Sequence, residues 1–146
     1  MKSRSVLLTV IITLIISVVA SIDARVASAD TVTYIQPKSA SFGSLTVYSN
    51  IKRVQGTNHV TYRGEASCFN AADAWYRQFR VRVILIVSDP VTTTFNFSDW
   101  NTQVGVSPAV VARAHTSPIG GNLVSWNAIA ECEYFKGGAW LPGPRT

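Results

Sequence analysis

The sequence predicts an all-β fold, a single-domain antiparallel β-sandwich stapled by one disulfide, and three observations lead there. Across Val124–Tyr134 the even positions read Val, Trp, Ala, Ala, Cys, Tyr and the odd positions read Ser, Asn, Ile, Glu, Glu. Side chains alternate between the two faces of a strand, so one face is apolar and the other polar except at Ile129. Val60, Tyr62, Gly64, Ala66 and Cys68 repeat that phase and again end in a cysteine on the apolar face. Turn residues recur at intervals of about 8–15 positions and no stretch has the period of a long helix, which is the pattern of a sandwich or a barrel.

The chain opens with Met1-Lys2-Ser3-Arg4, an apolar run from Val6 to Ala20, and the small residues Val26-Ala27-Ser28-Ala29. A basic start, an apolar segment and an Ala-x-Ala-like end make a signal peptide over residues 1–29, cleaved after Ala29. A run of fifteen residues, polar only at Thr9, Thr13 and Ser17, falls short of the roughly 20 that span a bilayer, so no stable membrane span is expected after processing. The remaining 30–146 segment is one secreted, extracellular domain. It has ten basic and seven acidic residues, a net charge of +3, which supports solubility and argues against a nucleic-acid partner. Two cysteines in an exported chain pair most simply with each other, as Cys68–Cys132. Two isolated cysteines without a nearby histidine make no metal site, and no cofactor motif occurs.

Strands are expected in order. Residues 30–37 form an edge strand that Pro37 ends, and Lys38–Gly43 a polar turn. Ser44–Val54 is β-branched and aromatic, with a bend at Ser49-Asn50, and Gly56-Thr57-Asn58 is a turn. His59–Phe69 carries the first cysteine, with Thr61, Arg63, Glu65 and Ser67 outward. Asn70–Ala74 is a loop or a single helical turn. Trp75–Val87 is the longest strand, with Phe79, Val81, Val83, Leu85 and Val87 on one face and Arg80, Arg82, Ile84 and Ile86 on the other. The second face starts wet and ends dry, as if the strand entered the body of the fold. Val91–Phe97 is a strand, Ser98–Pro108 a loop and Ala109–Thr116 a strand. Ser117–Asn122 is a hairpin connection, and Trp140–Thr146 a proline-containing tail.

The order Cys68…Trp75…Cys132 resembles an immunoglobulin-type domain, where a core tryptophan packs on the disulfide between two sheets. Trp75 follows Cys68 by only seven residues, and Ala130 stands two before the second cysteine, where that family has tyrosine. The resemblance implies a sandwich architecture rather than membership of that family.

Three constellations carry chemistry. His59, Arg63 and Glu65 are the residue types of small secreted ribonucleases, which move protons with a glutamate and a histidine and hold the phosphate with an arginine. On one strand, His59 and Glu65 stand roughly 20 Å apart, too far to flank one phosphate unaided. Arg77, Arg80 and Arg82 make a basic patch that suits an anionic surface or, across the sheet, Glu131 and Glu133. Trp100 and Trp140 lie in loop-like sequence, where aromatics stack on sugars or fill a partner's pocket. Asn96-Phe97-Ser98 matches the N-glycosylation pattern. The expectation is a binding protein without catalytic residues that takes an extracellular protein, polysaccharide or anionic surface through Trp100, Trp140, Arg77, Arg80 and Arg82. The alternatives are a ribonuclease-like hydrolase using His59, Arg63 and Glu65, and a membrane-active toxin or antimicrobial.

Overall fold

The computed structural model describes residues 29–71, 77–105, 110–121 and 123–146. Ten strands form among them: β1 (Thr31–Phe42), β2 (Leu45–Gln55), β3 (Val60–Asn70), β4 (Gln78–Ser88), β5 (Thr93–Phe97), β6 (Asn101–Val104), β7 (Val111–His115), β8 (Ile119–Gly120), β9 (Ser125–Lys136) and β10 (Ala139–Arg145). All pairings are antiparallel, and they make two sheets. The first runs β1-β2-β3, with β7 and β8 sharing the far side of β3. The second runs β10-β9-β4, with β5 and β6 sharing the far side of β4. Each sheet is therefore three long strands beside a broken fourth.

The two apolar faces meet in one core. β4 brings its large side chains, Phe79, Val81, Val83, Leu85 and Val87, and β2 brings Leu45, Val47 and Ile51. Opposite them stand small residues: Ala66 and Cys68 of β3, Ala112 and Ala114 of β7, and Ala128, Ala130 and Cys132 of β9. Large side chains against small ones let the two inner faces interdigitate. Gly64 of β3 belongs to the same arrangement, because a β-carbon there would sit 3.1 Å from Val83 and 3.2 Å from Leu85. The small inner faces also bring the cysteines within bonding reach. Cys68 and Cys132 are disulfide-bonded with their Cα atoms 6.2 Å apart. Both lie on interior strands, so the bond joins the two sheets near their middles. Trp126 packs at the edge of this core, stacked on Tyr62 at 5.0 Å.

Several expectations need correction. β1 does not stop at Pro37. It runs on to Phe42 by absorbing Gln36 and Pro37 in a bulge, where the register with β2 shifts and Gln36 takes a φ of 52°. It is an edge strand, where proline's missing N–H costs no ladder bond. β2 passes Ser49-Asn50 without a bend. Ser49 points inward, where its hydroxyl meets that of Thr146 at 2.8 Å, so a buried polar group is satisfied and the strand stays straight. Part of the Ser98–Pro108 loop is a strand, because β6 pairs with the first half of β4. The Ser117–Asn122 segment is no hairpin: β8 pairs with β3, and the chain then crosses to the other sheet as β9. The proline-rich tail is β10, an edge strand on β9 that is bulged between Pro142 and Arg145. β4 does not plunge into the body either. Ile84 and Ile86 stay on the outer face, where Ile84 is covered by its cross-strand neighbours Phe97 and Ile129.

The segment 1–29 expected to be a leader, the Asn70–Ala74 connection and Trp75 lie outside the described residues but for Ala29, Asn70 and Ala71, and the expected immunoglobulin-type tryptophan lies there with them. Among the described residues no helix is long and apolar enough to cross a membrane. At the β4–β5 turn the Asp89 carboxylate accepts hydrogen bonds from the backbone N–H groups of Thr92 and Val91 and from the Thr92 hydroxyl. These bonds, Thr92's backbone first, hold its pKa below the ordinary 3.8. They order the turn at neutral pH and are lost only as pH falls through that depressed value.

The cross-link closes a 64-residue separation. A Cys68→Ala/Cys132→Ala variant is expected to lose about 4 kcal/mol of stability, seen as an earlier midpoint in urea.

Candidate functional site

The outer face of β4 and β9 collects most of the residues singled out from sequence. Register places Arg80 across from Glu133 and Arg82 across from Glu131. The expected cross-strand ion pairs form: Arg80 Nη2 to Glu133 Oε2 at 2.6 Å and Arg82 Nε to Glu131 Oε2 at 2.6 Å. Arg145 of β10 adds a second cation to Glu131 at 3.3 Å. All four central side chains are less than a third exposed, so the pairs are better shielded than ordinary surface pairs.

Aromatic rings interleave with these guanidinium groups. Arg80 lies 4.2 Å from the centre of the Trp140 ring and 4.4 Å from that of Trp100. Arg82 lies 4.6 Å from Trp100 and 5.8 Å from Phe97. The sequence Trp140, Arg80, Trp100, Arg82, Phe97 is a ladder in which cations alternate with rings, each within cation–π range. Phe135 closes one end, edge-on to Trp140 at 5.3 Å. At the other end Phe97 and Phe95, 54% and 57% exposed, lie across from Ile84 and Ile86 and continue the face in apolar form.

Four of the five predicted binding residues thus converge: Arg80, Arg82, Trp100 and Trp140. Arg77 stays apart. It is exposed at the start of β4, and its carbonyl accepts from the Gly105 N–H at 2.6 Å. Trp100 is in a loop as expected, between β5 and β6, and Trp140 is in a strand, β10; both rings are packed on guanidinium groups.

The outer face of the first sheet is a different environment. Arg63 and Glu65 are ion-paired at 2.5 Å along β3. His59 is not with them: it is exposed in the turn before β3 and lines a separate recess with Gln55–Thr61, Gly120 and Gly121. The histidine that faces Glu65 is His115 of β7, its direct cross-strand partner. Tyr48, Asn50, Arg63, Glu65, Arg113 and His115 line a recess of about 340 Å³. Sequence reasoning missed Tyr48, Asn50, Arg113 and His115 here. Strand phase puts all four outward, but only the register between distant strands shows that they meet. Asn96, in the glycosylation pattern, donates from its side-chain amide to the Ser117 carbonyl at 3.0 Å. Among the described residues no group of three His, Cys, Asp or Glu side chains is placed to hold a metal ion.

No model of a known protein family, no curated protein and no solved structure matches this chain.

The ladder predicts energetic coupling between its rungs. A double-mutant cycle of Arg80→Met with Trp100→Leu, read by urea unfolding, should give a coupling of about 0.5–2 kcal/mol, whereas Arg77→Met with Trp100→Leu should give none.

Proposed function

We propose that the chain is an exported binding protein, built as a disulfide-pinned sandwich of immunoglobulin-like architecture, that docks a partner protein on the outer face of β10, β9, β4 and β5. The leader over residues 1–29 and the disulfide support the export half of this reading, since disulfides persist in oxidising compartments. The single observation that carries the docking half is the pair of exposed phenylalanines, Phe95 and Phe97, continuing a pre-ordered ladder of arginine and tryptophan.

The chemistry of the face selects a protein over the other ligands. Trp100 already has a guanidinium over it from each of Arg80 and Arg82, which leaves little open ring for a sugar to stack on. Both arginines are neutralised by Glu131 and Glu133, so the face offers an anionic polymer or lipid surface little free charge. What remains is an apolar patch, Phe95, Phe97 and Ile86, rimmed by ordered arginine and tryptophan. Aromatics and arginine held rigid around an apolar centre are the composition of protein–protein hot spots, because little side-chain entropy remains to be lost on binding.

The test uses the extracellular proteins of the source organism, insoluble polysaccharide, anionic vesicles and RNA as four probes. A partner protein retained by the wild type should be lost at least tenfold by Phe95→Ser/Phe97→Ser, a change at two exposed positions. Retention on polysaccharide, leakage of dye from the vesicles, or RNA cleavage that disappears in a His59→Ala or His115→Ala variant would each overturn the reading.

A further inference from the structure

The recess on the first sheet does not belong to the docking face, and its chemistry is of another kind. We infer that it binds a phosphate group carried on a nucleotide.

The first argument is charge. Two guanidinium groups, Arg63 and Arg113, line the recess against one carboxylate, Glu65. Glu65 is already held by Arg63, and no ion pair among the described residues engages Arg113. The contrast with the other sheet is sharp, because Arg80, Arg82 and Arg145 all touch an acid there. An exposed arginine without an acid, beside a second arginine and a histidine, is a site for an oxyanion. The planar fork of guanidinium matches phosphate oxygens in pairs.

The second argument is unmet hydrogen bonding in the wall. Asn50 Oδ1 and Arg63 Nε are buried, yet neither has a hydrogen-bond partner. A buried polar atom left unpaired is costly, so native proteins keep few of them, and a bound donor or acceptor is one way such a bond is completed. Both residues line this recess, and register sets Asn50, Glu65 and His115 in one row across β2, β3 and β7.

The third argument is a flat wall. Tyr48, in the next row with Ser67 and Arg113, is 44% exposed and stacks on Phe69 at 5.8 Å and 16°. A ring braced from one side offers its remaining surface to a planar group, as in sites that stack nucleobases. A recess of about 340 Å³ lies within the range of small-ligand sites. Phosphate at Arg113 and Arg63 with a base against Tyr48 uses the guanidinium groups and the aromatic wall, and a hydroxyl or amino group of the nucleotide supplies the donor that Asn50 Oδ1 lacks. A bare anion would leave the aromatic wall idle, and an uncharged ring would leave the arginines idle.

The test titrates adenosine 5′-monophosphate, inorganic phosphate and adenosine into the isotope-labelled domain and follows the His115, Tyr48 and Arg113 side-chain resonances. The nucleotide should move all three and bind at least tenfold more tightly than either fragment. Arg113→Ala, at an exposed position that does not disturb the core, should weaken the nucleotide more than tenfold with its thermal midpoint unchanged. Tyr48→Ala should abolish the advantage of the nucleotide over free phosphate. The Phe95→Ser/Phe97→Ser variant should bind the nucleotide as the wild type does, which separates this site from the docking face. No resonance shift at millimolar nucleotide, unaltered binding in Arg113→Ala, or equal affinity for phosphate and nucleotide would overturn the assignment.

Discussion

The bond between Cys68 and Cys132 is the constraint on which the rest of the architecture hangs. It ties an interior strand of one sheet to an interior strand of the other, across a core whose β3, β7 and β9 faces are mostly alanine, glycine and cysteine. Such small faces bury little apolar surface per residue, and most of the hydrophobic stabilisation must come from β4 and β2. A domain of this size with so many small inward residues gains from a covalent tie that reduces the freedom of the unfolded chain. The same small residues are what let the sheets approach closely enough for the bond to form.

Because the inner faces are committed to packing, any recognition chemistry falls to the outer faces, and these two have diverged. On the second sheet every arginine of the ladder is paired with a glutamate or stacked on a ring, so charge is used up in ordering the surface. Order of this kind has a consequence for binding, since a surface already held in one arrangement loses less entropy when a partner covers it. On the first sheet the charge is left open. Arg113 and His115 stand on a short strand beside a half-engaged Arg63, and the wall keeps unpaired polar atoms. One fold thus presents a closed electrostatic network on one side and an unfinished one on the other.

How much of this was legible in the sequence depends on distance along the chain. The period of two showed the inward faces of β3, β4 and β9, and the two cysteines in equal phase showed the disulfide. That Glu131 and Glu133 face arginines of β4 was legible because alternate charges on two strands invite a ladder, while the register decided which pairs with which. Pro37, Pro142 and Pro144 misled, because proline signals a strand's end unless an edge position and a bulge accommodate it. Ser98–Pro108 misled for a similar reason: Asp99, Asn101 and Gly105 read as loop, while the pairing of β6 with β4 overrides local preference. Of the recess only Arg63 and Glu65 were legible. Glu65 and His115 are neighbours only through the β3–β7 register, which joins residues 50 positions apart and is set by the alanines on the other face of β7. His59 was the nearer histidine in sequence and is the wrong one in space.

The most direct measurement is a tryptic map of the purified protein, alkylated without prior reduction. Cleavage after Arg63, Arg77, Arg113 and Lys136 leaves Cys68 in the peptide 64–77 and Cys132 in 114–136. The account predicts a single joined species of these two peptides that separates only on reduction. Two separate peptides, each carrying an alkylated thiol, would contradict it.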